Sequence, residues 1–172
     1  MDELRALFAA ENDDARERLD DAFDEFEERQ TALGDFATEI LGRNLDETAL
    51  ALGYFLLLAV WMGFDTYHAE SLNEVSPDLL ASTLESLTLD EQLRISDPAE
   101  PLDSDDVVAM EQPHVLDFIH EHLDATLDAH ADQVDVDDVH VVYRMVLIAV
   151  LALSYAVEPP AGYPVAKTEL MA

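Results

Sequence analysis

Two stretches of the chain are apolar on every side, and they limit how it can fold. The first covers residues 46–68 and carries no charge between Thr48 and Phe64. The second covers residues 139–157, with the sequence VHVVYRMVLIAVLALSYAV. A helix that is apolar all round is buried, either in a protein core or in a bilayer. We therefore expect these two helices to form the centre of the structure and the other helices to wrap them.

Capping residues and prolines predict where the helices begin and end. Asp46 is a good N-cap for the first apolar helix, which is expected to cover residues 47–73. Asp135 or Asp137 caps the second, expected over residues 138–157, and Pro159 and Pro160 end it. The same reasoning predicts further helices over residues 2–31, from Asp35 to Gly42, from Pro77 after a Ser76 cap, and over residues 114–131.

The whole pattern predicts an all-α fold, a single-domain helical bundle of about six helices over residues 1–160. The least regular stretch, residues 95–112, is interpreted as a loop, with one turn through Val107 and Val108 capped by Ser104. It is not a domain boundary, because neither side could form a core without the apolar helix of the other. Residues 161–172 are expected to be a mobile C-terminal tail. No strand alternation and no glycine-rich phosphate loop occurs.

The charge balance separates classes of function. Eight basic residues face 39 acidic ones, the net charge is −31, and Lys167 is the only lysine. Dispersed carboxylates indicate a surface adapted to molar salt, where screening weakens self-repulsion. The alternative is an acidic nucleic-acid mimic. Direct nucleic-acid binding is not expected, since the arginines form no basic stripe. The acidic N-terminus does not have the pattern of a secretory signal, so we expect a cytoplasmic protein.

The histidines suggest a metal site as an alternative. Glu111 and His114 have the Glu-x-x-His spacing of carboxylate-bridged metal bundles, although Pro113 lies between them. His120 and Asp124 share one helix face at i,i+4. A zinc site needs three or four ligands that converge from more than one element, and the sequence shows no such set. We therefore interpret these residues as part of a solvated surface and predict no cofactor.

Polar residues on the two apolar helices form a second candidate site. Antiparallel packing of the helices would bring Asp65 and His68 level with Arg144 and His140. Because an unpaired buried charge is very costly, the sequence predicts a buried polar cluster of these four residues with an Asp65–Arg144 ion pair. We interpret the cluster as structural, with a ligand site as the alternative.

The two apolar stretches also allow a membrane hairpin of two spans. The first has the minimum length for a span, but His140 and Arg144 interrupt the second, and an arginine within a span is costly. We favour the soluble bundle.

No nucleophile-and-base arrangement occurs in the sequence. The leading hypothesis is a non-enzymatic protein-binding or regulatory protein with a salt-adapted surface, whose partner is another protein or a second copy. A His/carboxylate metalloprotein or metal-dependent enzyme is the first alternative, and the nucleic-acid mimic is the second.

Overall fold

Two apolar helices form the centre of an all-helical bundle, as the sequence predicts. A computed structural model describes residues 13–96 and 105–158. The helices in these ranges are α1 Asp13–Arg29, α2 Thr31–Leu41, α3 Glu47–Tyr67, α4 Pro77–Ser96, α5 Asp105–Glu111, α6 Pro113–His130 and α7 Val136–Val157. The core helices are α3 and α7, and most residues of α7 from Met145 to Ala156 are buried.

Several predicted caps are confirmed. The Asp46 carboxylate accepts hydrogen bonds from the backbone N–H groups of Thr48 and Ala49. The Asp135 carboxylate does the same at the start of α7. Ser76 Oγ accepts from the backbone N–H of Leu79 at 3.1 Å, so Pro77 is the first residue of α4. These interactions span only two or three residues, which is why the sequence alone identifies them.

Two predicted helix boundaries are wrong. The second helix begins at Thr31 and not after a cap at Asp35, so Gly34 and Asp35 lie inside α2. A Cβ atom at Gly34 would lie 3.2 Å from Glu27 Cα, so the glycine allows close contact between α1 and α2. The first apolar helix, α3, ends at Tyr67 instead of continuing to Asn73. The residues that follow Tyr67 form hydrogen bonds with other parts of the bundle. The buried side chain of Gln30 bonds to the backbone carbonyl of Asn73 and to the N–H of Val75.

The stretch interpreted as a loop contains a short helix, α5, which buries Val108 against the core. Ser104, the proposed cap of this turn, lies outside the described residues. So do residues 2–12 of the predicted first helix and the predicted tail at 161–172.

The core helices run parallel, not antiparallel as expected. At their beginnings, the backbone N–H of Asp46 donates to the Asp138 carboxylate at 2.8 Å, and the Asp135 N–H donates to the Asp46 carboxylate at 3.3 Å. At their ends, both the backbone N–H and the side-chain amide of Asn73 donate to the carbonyl of Ala156. The long connection through α4, α5 and α6 returns the chain to the start of the bundle. Only a short connection would have required antiparallel neighbours.

The carboxyl group of Asp46 reflects this arrangement. Partial burial raises its pKa, but hydrogen bonds from the backbone N–H groups of Thr48, Ala49 and Asp135 outweigh burial. The net effect is a pKa below the ordinary value for aspartate. The ionised form of Asp46 is therefore the one that holds the beginnings of α3 and α7 together.

The parallel arrangement also tests whether α3 and α7 could form a membrane hairpin of two spans. By length and composition α3 and α7 could each cross a membrane, but 56% and 72% of their apolar windows are buried inside the protein. Consecutive spans of a hairpin must run in opposite directions, whereas these two helices run in the same direction. The described helices between them, α4 and α6, carry several acids each and could not supply a return span. The two-span hairpin is therefore wrong.

Glycine substitutions test the close contact between α2, α3 and α7. A Cβ atom at Gly53 would lie 2.9 Å from Leu41 Cδ2 and 3.0 Å from Val142 Cγ1, whereas one at Gly63 would have no atom within 4 Å. We expect Gly63→Ala to raise the free energy of unfolding by about 0.5–1 kcal/mol, because alanine is the better helix former. In Gly53→Ala, overpacking against Leu41 and Val142 should cancel this gain in the free energy of unfolding. Denaturant unfolding measures both, and equal gains would contradict the observed packing.

Candidate functional site

One side of α3 is left uncovered by the described helices. Ala51 is exposed and Tyr54 is 38% exposed on this side, although the helix is apolar all round. Tyr67, the last residue of α3, is 76% exposed and lies on the opposite side of the helix. Most of the second half of α7, by contrast, is enclosed by its neighbours. Two grooves line α3, one on this uncovered side and one on the opposite side of the helix.

The first groove lies between α1 and α3 and encloses about 530 Å³. We call it the α1–α3 groove. Its walls are mainly apolar and aromatic, and two aspartates of α1 lie among them. The lining residues are Leu19, Asp20, Phe23, Asp24, Ala51, Tyr54, Phe55 and Leu58. The rings of Phe23 and Tyr54 meet edge to face with centroids 5.1 Å apart, so residues of both helices form one continuous surface.

The second groove lies between α3 and α6 and encloses about 610 Å³. We call it the α3–α6 groove. Gly63 leaves it open, and the imidazoles of His68 and His114 are among its polar groups. The lining residues are Ala59, Val60, Gly63, Phe64, Tyr67, His68, Gln112, His114, Val115 and Phe118. The side-chain amide of Gln112 donates to Ser154 Oγ at 3.1 Å, which holds this end of the groove against α7.

An aromatic cluster lies between the two grooves, where α6 packs on α3. Phe55 lines the first groove and Phe118 lines the second, and their ring centroids are 6.2 Å apart. The His122 ring packs against both, with centroid distances of 5.0 Å to Phe55 and 4.3 Å to Phe118. A hydrogen-bond contact of 2.9 Å between His122 Nδ1 and the Phe118 carbonyl fixes the imidazole. The buried Phe118 and the His122 ring therefore cover α3 at Phe55, and the two grooves lie on either side of this contact with α6.

The predicted Asp65–Arg144 ion pair is wrong. Asp65 binds Arg29 of α1, and Arg144 binds both carboxylate oxygens of Glu91 and the hydroxyl of Thr88 on α4. Since α3 and α7 run parallel, Asp65 lies near the end of the bundle where α7 finishes, whereas Arg144 lies near the start. The rise between these levels is about 15 Å, ten residues at about 1.5 Å each.

The four residues of that predicted cluster are not buried together. His140 is exposed, and Asp65, His68 and Arg144 are half-buried in different surroundings. His68 caps the end of α3 and lines the α3–α6 groove. The Arg29 guanidinium lies 5.6 Å from the centre of the Trp61 ring, and its hydrogen bond to Asp65 raises the pKa of Arg29 above the ordinary value.

The residues of the metal hypothesis are also separated. Glu111, His114 and Asp124 are exposed, while His120 Nε2 lies 2.7 Å from the hydroxyl of Tyr143. Within residues 13–96 and 105–158, no three His, Asp or Glu side chains are grouped closely enough to hold a metal ion. Glu111, His114, His120 and Asp124 therefore do not form the set of ligands that the spacing suggested.

Sequence reasoning missed the residues that form the grooves. The sequence predicts that the helix over residues 47–73 is buried on every side, which would make Ala51, Tyr54 and Phe55 core residues. The available signal was the composition of α3 itself, because an apolar surface on every side needs neighbours on every side.

Comparisons of the chain with protein-family models, with curated proteins and with solved structures gave no match.

The ion pair between Asp65 and Arg29 can be tested by mutation. Because the Arg29 and Asp65 side chains are 42% and 29% exposed, we expect Asp65→Asn to lower the free energy of unfolding by about 0.2–1 kcal/mol. A double-mutant cycle of Asp65→Asn with Arg29→Gln should show coupling, whereas the cycle with Arg144→Gln should be additive. Coupling between residues 65 and 144 would contradict the parallel arrangement.

Proposed function

We propose that this chain is a non-catalytic protein-binding module, and that the uncovered side of α3 is its binding surface. The observation that carries the proposal is the apolar and aromatic α1–α3 groove, which opens on this side of α3. Exposed apolar surface that is bordered by polar residues marks binding grooves and protein interaction sites.

The residue types on this surface support a protein partner. Aromatic residues are enriched at the buried centres of protein interfaces, where they supply large contact areas at low entropic cost. Tyr54 is partly exposed on this surface and offers a ring for burial and a hydroxyl for hydrogen bonding.

The acidic surface provides the setting for this binding. With a net charge of −31, the chain repels copies of itself and other acidic proteins wherever salt is low. In the salt-rich cytoplasm that we propose as its location, screening reduces this repulsion to short range. Apolar contact then becomes the main source of affinity, since it does not depend on charge.

Site-specific photo-cross-linking in the native host tests the proposal. A photoreactive amino acid in place of Tyr54 should give one predominant adduct with another protein, because this residue lines the α1–α3 groove and is partly exposed. The same amino acid in place of Asp124, an exposed residue of α6 that lines neither groove, should give none.

A second variant shows whether the adduct depends on the groove. Ala51→Trp should fill the groove and abolish the adduct at position 54, while circular dichroism shows that the variant remains helical. Equal adducts at positions 54 and 124, or no adduct at position 54, would contradict the proposed function.

A further inference from the structure

The two grooves differ in charge, and this difference says what kind of partner the first one fits. Asp20 and Asp24 line the α1–α3 groove, and both are exposed. Neither carboxylate forms an ion pair with any residue of the described ranges. No carboxylate lines the α3–α6 groove. The first groove therefore combines an apolar floor with an acidic rim along α1.

The shape of the α1–α3 groove fits a helix. Its walls are two helices, and the small side chain of Ala51 leaves room between Phe23 on one wall and Phe55 on the other. An amphipathic helix binds in such a groove through apolar side chains spaced at i, i+3 or i+4, and i+7. The polar side of the bound helix then lies against the acidic rim of α1.

A second copy of this chain fits the groove poorly. Every copy carries the same acidic surface, and two copies with a net charge of −31 each would bring like charges together at the interface. A partner with Lys or Arg on its polar side is attracted instead, because the carboxylates of Asp20 and Asp24 lie on the rim.

We infer that the α1–α3 groove binds an amphipathic helix of a partner protein whose apolar face fills the groove and whose basic residues pair with Asp20 and Asp24. This inference rests on the proposed function and adds the chemical class of the partner. The apolar floor of the groove then supplies the affinity, and Asp20 and Asp24 select a partner with basic residues.

A designed peptide pair tests the inference on the full-length protein. The probe is a helical peptide with leucines on one face and lysines on the other, and its matched control carries glutamates in place of the lysines. Binding is measured by fluorescence anisotropy at the lowest salt concentration at which circular dichroism shows complete folding. We expect the lysine peptide to bind and the glutamate peptide not to bind.

Matched variants separate the groove from the overall charge. Asp20→Asn combined with Asp24→Asn should weaken binding of the lysine peptide by about threefold to tenfold, as expected for two exposed ion pairs. Asp124→Asn combined with Asp128→Asn changes the net charge equally but lies on the exposed face of α6, and should leave binding unchanged. Ala51→Arg should abolish binding, because it places a bulky cation in the groove.

The inference is overturned if the lysine peptide does not bind or if both peptides bind equally. It is also overturned if the two pairs of aspartate substitutions weaken binding of the lysine peptide equally, or if the Ala51→Arg variant binds this peptide as well as the parent does. Tighter binding after Leu4→Asp and Leu7→Asp would also overturn it, because the occupant would then be the chain's own N-terminal residues. If the peptide experiment fails while the Tyr54 adduct forms, the partner class is wrong but the proposed function stands.

Discussion

The parallel packing of α3 against α7 is the constraint on which the other features depend. Hydrogen bonds join the two helices at both ends, through Asp46 and Asp138 at one end and through Asn73 and Ala156 at the other. Each of these bonds satisfies a backbone group at or just beyond a helix end, where the helix itself supplies no partner. The register of the two helices is therefore fixed by hydrogen bonds at the ends and by close packing at Gly53 and Val142 between them.

The uncovered side of α3 follows from this arrangement. The chain must return from the end of α3 to the start of α7, and it does so through α4, α5 and α6. Of these, α4 and α5 pack on α7, and so does α2. Apart from α7 itself, α3 is contacted mainly by α1 and α6, with a smaller contact to α2. Two apolar helices thus share one core, but one of them is enclosed and the other keeps a side available for a partner.

Local features of the fold could be predicted from the sequence, and long-range ones could not. The Asp46 and Ser76 caps depend on atoms two or three residues away, so their sequence signals are sufficient. The direction of packing depends on a connection of three helices, and nothing in the composition of α3 or α7 determines it. The Asp65–Arg144 prediction used a correct helical rise with the wrong direction, and this single error placed Asp65 near the wrong partner.

The candidate binding surface could likewise be predicted only in part from the sequence. That α3 is apolar all round could be read from its residues, but the side left uncovered depends on where α1 and α6 lie. Tyr54 and Phe55 would be core residues if one more helix covered this side of α3, and they are groove residues without it. The role of Asp20 and Asp24 likewise needs the structure, because in the sequence they are two of 39 acidic residues.

Distances between spin labels test the parallel arrangement most directly. The chain has no cysteine, so labels attach only where cysteines are introduced, and Glu47, Tyr67 and Asp137 are exposed sites near the helix ends. Parallel packing predicts that the distance between labels at 47 and 137 is roughly 20 Å shorter than the distance between labels at 67 and 137, given the length of α3. A shorter distance from position 67 than from position 47 would mean that the helices are antiparallel, and would contradict the account.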